Sequence, residues 1–334
     1  MTEVDSIVAS LVSTGLAEDG SSLRFEPLKG GVSSDIWRVD GGASTICVKR
    51  ARSRLAVEAT WEVPVERNHY EAEFLRVVST EVPGFAPELL AEDDAQGLIV
   101  LPFLDPGTWR LWKTQLLAGH VHMKVAEAAG SHLGRLARVT RDRPDLAKRF
   151  DTGDLFFQLR FDPYLLECAR RHPDLASPLT ALVESTSRRR EALVHGDVSP
   201  KNMLVTADAD CLILDAECAW YGDPAFDLAF VINHLCLKAV HVQNAQVPLV
   251  TAIGALLRAR AAMDDPDRGP AVECRAARLL PGLMLARLDG KSPVEYLNDE
   301  EKRAHIRRTA RHFLLSPTER IADVVTALTG RAWS

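Results

Sequence analysis

The chain has 334 residues, of which 46% are hydrophobic, with a net charge of −6 and a pI of about 6.0. This length supports a substantial core and favours two lobes over one. The charge balance is not strongly basic, which argues against nucleic acid as a partner. Residues 1–100 carry 17 acidic and 9 basic side chains, an asymmetry that supports a lobe boundary near residue 100.

The six cysteines form no Cys-x-x-Cys pair and no zinc-ligand spacing, and several lie within apolar runs. This usage predicts a reducing compartment. The first 15 residues lack a basic region followed by an apolar run, and no stretch approaches 18 uninterrupted apolar residues. We therefore expect a cytoplasmic protein without a membrane partner.

The first elements are predicted to be an amphipathic helix over residues 4–17 and three strands between residues 23 and 49. Gly30, Gly31 and Ser33 lie between the first two strands, where backbone N–H groups could cover a phosphate, although such a pair is more often a simple turn. Lys49 ends the third strand, one strand after the glycine pair, where its ammonium group could reach a phosphate, although a lysine at a strand end is usually solvated.

A helix is predicted from about residue 65 to residue 78, and it carries Glu71 and Glu73 as candidates to pair with Lys49. Glu71 is preferred, since it lies one helical turn before Leu75. Two further strands end at a Pro-Gly break, which places the lobe boundary after residue 104. The second of them carries Leu101 and Phe103, beside which a nucleotide base could bind.

Most of residues 105–334 reads as helix: a long helix or helix pair over 109–140, and further helices over 156–170, 178–188, 227–240, 248–262, 271–288, 300–314 and 318–328. The chain therefore predicts an α+β fold in two parts, with a strand-rich N-lobe over 1–104 and a mainly helical C-lobe over 105–334.

A β-hairpin interrupts these helices. Two apolar segments, 203–205 and 211–214, flank a short polar turn. Asp197 and Asn202 precede the hairpin and Asp215 follows it, so three oxygen-bearing side chains should converge at one end. Phosphoryl transfer needs such a set: one carboxylate to orient a hydroxyl, and an amide with a second carboxylate to hold Mg²⁺.

The sequence His195-Gly196-Asp197 followed by Asn202 resembles the His-Gly-Asp-x-x-x-x-Asn motif of aminoglycoside phosphotransferases and their choline-kinase-like and methylthioribose-kinase-like relatives. Asp215-Ala216-Glu217 looks like their metal-binding Asp-x-Glu, and the run from Gly222 to Ala229 is similar to their Gly-Asp-Pro-x-x-Asp-Leu-Ala. The resemblance covers most of the chain, and the three C-terminal motifs together are highly specific.

The resemblance implies a protein-kinase-like two-lobe fold that uses MgATP, or MgGTP, as phosphoryl donor. It makes Asp197 the catalytic base, assigns Mg²⁺ to Asn202 and Asp215, and assigns the nucleotide phosphates to Lys49, with Gly30, Gly31 and Ser33 covering them. Ser199 stands where protein kinases have a catalytic-loop lysine, and whether Lys201 compensates is left open.

The acceptor is predicted to be a small-molecule alcohol, because the segment between Asp215 and Asp227 is too short for a peptide platform. Candidate acceptor-binding residues are Arg287, Asp289 and Glu217. The slightly basic last third argues against a polycationic aminoglycoside. The alternative is a catalytically weak, pseudokinase-like nucleotide-binding protein. The acceptor's identity, the choice of ATP or GTP and the oligomeric state are not determined by the sequence.

Overall fold

The protein divides into two compact units, Met1–Trp109 and Arg110–Ser334. A computed structural model describes residues 3–20, 22–28, 34–52 and 67–333. The sequence placed the lobe boundary after residue 104, and the division in the structure falls shortly after it, beyond the Asp105-Pro106-Gly107 break.

The first unit contains a five-stranded antiparallel sheet with the strand order β1-β2-β3-β5-β4. Its elements are α1 (Glu3–Ser13), β1 (Arg24–Pro27), β2 (Ser34–Asp40), β3 (Ile46–Ala51), α2 (Arg67–Glu81), β4 (Ala91–Asp93) and β5 (Leu98–Pro102).

The two helices of the first unit pack on opposite faces of this sheet. Ile7 and Leu11 of α1 join Val48 and Val100 in one buried cluster. On the other face, residues of α2 cluster with Ile99. Because side chains alternate along a strand, Lys49, which pairs with Ile99 in the β3–β5 ladder, is directed to the α2 side.

The second unit is mainly helical. Its helices are α3 (Trp112–Leu117), α4 (Met123–Thr140), α5 (Pro144–Arg149), α6 (Gly153–Phe156), α7 (Glu167–Arg171), α8 (Ala176–Ser187), α9 (Ala225–His241), α10 (Gln246–Met263), α11 (Gly269–Asp289), α12 (Glu300–Leu315) and α13 (Ile321–Thr329). A π-helical segment, Phe157–Leu166, joins α6 to α7.

Two small antiparallel sheets lie among these helices. One has the order β6-β8-β9, with β6 (Arg110–Leu111), β8 (Met203–Val205) and β9 (Cys211–Ile213). The other pairs β7 (Ala192–Val194) with β10 (Trp220–Gly222). The predicted hairpin is thus the β8–β9 pair.

Helix α9 forms the centre of the second unit, and its residues from Ala225 to Val240 are all buried. Its sequence is apolar apart from a few polar residues, among them Asn233, His234 and Lys238. Among the described residues no single helix is long and apolar enough to cross a membrane, whereas the bent pair Ala225–His241 and Gln243–Met263 meets the length and composition criteria together.

Several details of the second unit differ from the sequence prediction. The region 109–140 is a helix pair preceded by β6, which adds a third strand to the predicted hairpin. Residues 141–153, for which no helix was predicted, contain the short helix α5. Helix α9 begins at Ala225, two residues before the predicted start at 227, and the Asp227 carboxylate accepts backbone N–H groups from another segment.

Candidate active site

The β8–β9 hairpin brings two predicted metal ligands to the same end. The strands pair Met203 with Ile213, and beyond them the Leu214 N–H donates to the Asn202 carbonyl at 2.8 Å. Asp215 follows directly, so Asn202 and Asp215 flank the open end of the hairpin. The apolar alternation of the two strands buries Met203 and Ile213 and fixes this register.

The loop before the hairpin is held by α9. Both oxygens of the Asp227 carboxylate accept backbone N–H groups, from His195 at 2.7 Å and from Gly196 at 2.8 Å. Gly196 has φ +83°, and a Cβ there would lie 2.8 Å from the Cys218 carbonyl oxygen. The position therefore requires glycine. Burial raises the pKa of Asp227 to about 7, against the effect of its two backbone donors.

His195 supports the same loop and is buried. Its Nδ1 accepts the Asp197 N–H at 3.1 Å, so the ring bonds the loop backbone. Burial lowers the pKa of His195 to about 4. The neutral imidazole is therefore the relevant form near pH 7, and its accepting nitrogen helps to orient Asp197.

Asp197 is 4% exposed, and two cations share one of its oxygens. A guanidinium nitrogen of Arg160 and Nζ of Lys201 each lie 3.0 Å from Oδ2. Among the residues that the structure describes, the other oxygen, Oδ1, has only the distant Ser199 hydroxyl at 3.5 Å. Burial alone would raise the pKa of Asp197, but the charges of Lys201 and Arg160 hold it below its usual value. The carboxylate is therefore ionised.

Arg160 is a contact of this site that the sequence reasoning missed. It lies on the π-helical segment, where its Nε donates to the Gly196 carbonyl at 2.5 Å. Pro163 stands inside the segment and cannot donate a backbone hydrogen bond, which is consistent with the wider helix. Pro163 was a visible signal for an irregular helix, and such irregularities often occur at functional sites.

Asn202 and Asp215 have the chemistry that Mg²⁺ prefers, an amide oxygen and a carboxylate. The Nδ2 of Asn202 donates to the Asp197 carbonyl at 3.1 Å, which leaves its Oδ1 as the ligand atom. Asp215 adopts φ +69°, in the left-handed region that non-glycine residues seldom occupy. Such backbone strain is concentrated at functional sites. The donor set therefore fits a divalent cation.

In the first unit, Lys49 and Glu71 form a buried ion pair with 2.6 Å between Nζ and Oε2. Glu73 instead accepts from Arg76 at 2.6 Å. Glu71 lies on the buried face of α2, together with Asn68, Ala72 and Leu75, whereas Glu73 does not. Of the two glutamates that the sequence left open, Glu71 thus pairs with Lys49.

Two of the other candidate nucleotide contacts of this unit, Leu101 and Phe103, lie within the described residues. Leu101 is in β5 opposite Cys47. The Phe103 N–H donates to the Thr45 carbonyl at 3.2 Å, so that donor is already engaged. Gly30, Gly31 and Ser33 lie outside the described residues.

The three acceptor-binding candidates do not form one group. Asp289 accepts hydrogen bonds from Arg307 at 2.9 Å and contacts His172 at 3.0 Å; within the described part of the chain, no contact joins it to Asp197. Arg287 is buried and donates to the Tyr164 hydroxyl at 3.2 Å. Glu217 is buried, and its charge acts on Arg160 beside Asp197.

The phosphotransferase enzyme family has a sequence model that matches residues 24–269, well over half of the chain. The chain belongs to this family. The membership confirms the resemblance seen in the His195–Asn202 motif and the Asp215–Glu217 motif.

Curated relatives in sequence include methylthioribose kinases. The enzyme of Pectobacterium atrosepticum is 23% identical over 273 residues, which cover 72% of this chain and 66% of that protein. An enzyme of Bacillus cereus is 23% identical over 241 residues, 63% of this chain and 60% of that protein. The chain thus spans less than two thirds of these relatives' length.

Solved structures confirm the kinase-like two-lobe α+β fold. A Plasmodium vivax ethanolamine kinase has a TM-score of 0.53 at 12% identity, covering 83% of this chain and 80% of that one. The ADP-bound aminoglycoside phosphotransferase APH(2'')-Ib has a TM-score of 0.50 at 14% identity, covering 98% and 99%. At these identities the likeness concerns the fold alone.

Proposed function

We propose that the protein transfers the γ-phosphoryl group of ATP, or of GTP, to a hydroxyl of a small molecule. The observation that carries this proposal is the carboxylate of Asp197: it is buried and ionised, and its Oδ1 has no close partner among the described residues, while Asn202 and Asp215 lie at the end of the adjoining hairpin. Family membership supports the same reaction.

In the proposed reaction, Oδ1 of Asp197 accepts a hydrogen bond from the acceptor hydroxyl and orients its oxygen. A bond forms between that oxygen and the γ-phosphorus while the bond from phosphorus to the ADP oxygen breaks, and the hydroxyl proton passes to Asp197 late in the transfer. Because its pKa is low, Asp197 is a weak base, and positioning supplies most of its effect.

Mg²⁺ fits the donor set of Asn202 and Asp215, and when bound it would neutralise charge on the phosphates. Lys201 adds a cationic group from the protein itself beside Asp197, at 3.0 Å, and is proposed to take the place of the lysine that protein kinases carry at the position of Ser199. We assign Lys201 to stabilising negative charge that develops during the transfer.

For the first unit, the proposal assigns the α- and β-phosphates to Lys49, whose ammonium group Glu71 holds in place at 2.6 Å. Gly30, Gly31 and Ser33 are proposed to cover the phosphates, and the segment of Leu101 and Phe103 to contact the base. Glu217 is proposed to support the metal site through the effect of its charge on Arg160.

Asp197→Asn tests the proposal directly. We expect turnover to fall by roughly 10²- to 10⁴-fold, while MgATP still raises the melting temperature, because the variant removes hydroxyl orientation and not nucleotide binding. The assay is ADP release over a panel of amino alcohols, sugars, hydroxy acids and aminoglycosides. Asp208→Asn, an exposed residue in the turn of the same hairpin, is the matched control and should keep wild-type turnover.

Asp215→Asn tests the metal assignment. It should remove most of the Mg²⁺-dependent part of the stabilisation by ATP, which at a ligand concentration of 100 Kd amounts to about 2.7 kcal/mol. Wild-type turnover in both variants would refute the assignment. Stabilisation of the wild type by MgATP without ADP release on any alcohol would favour the pseudokinase-like alternative.

A further inference from the structure

The central helix α9 carries a buried lysine. Lys238 is 1% exposed, although α9 is otherwise largely apolar. Its Nζ lies 3.5 Å from the His234 carbonyl and 5.0 Å from the centre of the Tyr296 ring. Within the described ranges no carboxylate lies within ion-pair distance of it. Burial of an ammonium group without a counter-charge is strongly unfavourable.

A second buried cation lies in the same region. Arg287, near the end of α11, is 7% exposed and donates to the hydroxyls of Tyr164 at 3.2 Å and Ser292 at 3.0 Å. Its Nε is buried and has no hydrogen-bond partner among the described residues. As far as the structure describes the chain, Arg287 also has no carboxylate within ion-pair distance. Neutral hydroxyls satisfy part of its hydrogen-bonding capacity but leave its charge uncompensated.

Two neutral polar groups beside these cations also lack partners in the described part of the chain. They are Nε2 of His234 and the hydroxyl of Tyr296, both buried. Burial and the charges of Arg287 and Lys238 lower the pKa of His234 well below its usual value, so the ring is neutral. Native proteins satisfy most buried polar groups, so several unsatisfied ones together indicate a missing ligand.

The charged side chains around Lys238 do not neutralise its ammonium group within the described residues. Burial, followed by the charges of Lys113 and Arg287, lowers the pKa of Lys238 to about 7. Glu295 acts in the opposite direction, but its carboxylate is already paired with Lys113. The region therefore keeps a net positive charge at and below neutral pH.

This cluster of Lys238, Arg287, His234 and Tyr296 is connected to the candidate active site within the same unit. The Tyr164 ring has the Arg287 guanidinium 5.7 Å from its centre and the Arg160 guanidinium 5.9 Å from it. Arg160 in turn contacts Asp197 at 3.0 Å. The charge of Lys201, the other cation on Asp197, also acts on His234.

We infer that the acceptor alcohol carries an anionic group, a carboxylate or a phosphate monoester, which binds to Lys238 and Arg287 while its hydroxyl reaches Asp197. The inference rests on the proposed phosphotransferase function and names its substrate class. The anion supplies the counter-charge that the described residues do not provide, and its oxygens accept hydrogen bonds from Nε of Arg287 and from the Tyr296 hydroxyl. Cationic amino alcohols are disfavoured by repulsion.

The test compares matched alcohols that differ in one group. One pair is glycerate and its primary amide, and the other is glycerol and glycerol phosphate, so the two arms separate a carboxylate from a phosphate. For the wild type we expect the anionic member of at least one pair to have the higher kcat/KM. In Lys238→Met its KM should rise roughly tenfold to a hundredfold, as expected when a charged hydrogen bond is lost.

Two further variants show whether a change in KM comes from the anion site. Tyr296→Phe keeps the ring beside Lys238 and removes only the hydroxyl, so KM for the anionic alcohol should rise by a few-fold. Lys148→Met, which changes an exposed lysine of α5, should leave both pairs at wild-type values. Equal kcat/KM for the two members of both pairs in the wild type, or unchanged selectivity in Lys238→Met, would overturn the inference.

If the proposed function itself is wrong, the result is different, because the protein would then release no ADP with any alcohol. Inorganic phosphate serves as the probe in that case. We expect it to raise the melting temperature of the wild type more than that of Lys238→Met at equal ionic strength. The same shift in both proteins would show that the cluster binds no anion, and would overturn the inference independently of turnover.

Discussion

Two buried clusters of charged side chains in the second unit differ in whether a carboxylate lies beside their cations. Around Asp264, the guanidinium groups of Arg141 and Arg260 each bind one carboxylate oxygen, Arg141 at 2.8 Å, and all three side chains are at most 5% exposed. Around Lys238 and Arg287, the described residues provide no such carboxylate. The comparison shows that this fold can place a carboxylate between two buried guanidinium groups. The uncompensated cluster is therefore better explained by a ligand.

Asp264→Asn gives the largest expected effect and tests the compensated cluster. It leaves two guanidinium groups buried without a counter-charge, so the free energy of unfolding should fall by about 3–5 kcal/mol. Urea denaturation measures the change, and Asp267→Asn, an exposed neighbour, is the control. A loss below about 1 kcal/mol would remove the contrast between the two clusters.

Lys238→Met tests the uncompensated cluster through the pH dependence of the free energy of unfolding. The folded-state pKa of Lys238, about 7, lies below its usual value of 10.5, so between these values the unfolded chain binds more protons than the folded one. Wild-type stability should therefore gain up to about 1.4 kcal/mol per pH unit as pH rises through this window, a gain that the variant lacks.

The measurement is urea denaturation of both proteins from pH 6.5 to pH 10 in chloride buffers without phosphate. Lys113, Arg287 and Glu295 surround Lys238 in both proteins, so the difference between the two curves isolates the Lys238 proton. We expect the variant to be the more stable protein at pH 6.5 and its advantage to shrink above pH 7. A variant that is less stable than the wild type at every pH would mean that Lys238 has a structural role.

His234→Glu would give the Lys238 cluster a carboxylate like that of the Asp264 cluster. Of the three substitutions it has the smallest expected change in stability. Residue 234 precedes Lys238 by four positions, the same separation that joins Arg260 to Asp264. The new carboxylate would supply the missing counter-charge, so stability at pH 7 should stay within about 1 kcal/mol of the wild type. KM for an anionic alcohol should rise at least tenfold, since the carboxylate competes for Lys238. Unchanged KM with retained stability would contradict the assignment of Lys238.

The parts of the fold that the sequence predicted well are those with a local signal. Helical periodicity located α8 to α13 within a few residues, and the apolar segments around 203–205 and 211–213 located the hairpin. Strands β6, β7 and β10 were missed, because each has two or three residues and pairs with a distant segment, as Arg110 does with Val205. Such short strands have no periodicity of their own.

The residues of the candidate site also divide into those with a local signal in the sequence and those without one. Asp197, Asn202 and Asp215 were visible because the motif and the hairpin hold them close in sequence. Arg160 was not visible, because its contact with Gly196 depends on how a π-helical segment packs on a distant loop. Lys238 did leave a signal, a single lysine within the apolar run of α9. Only the structure shows that no carboxylate in the described residues accompanies it.

The left-handed backbone of Asp215 separates two kinds of selection. At φ +69°, glycine or asparagine would suit the local conformation as well as aspartate or better. A library of residue 215 variants sorted for folding alone should therefore become enriched in Gly and Asn. The same library sorted for phosphorylation of an alcohol should retain Asp. The divergence between the two enriched populations would measure how far this position serves chemistry at the expense of the fold.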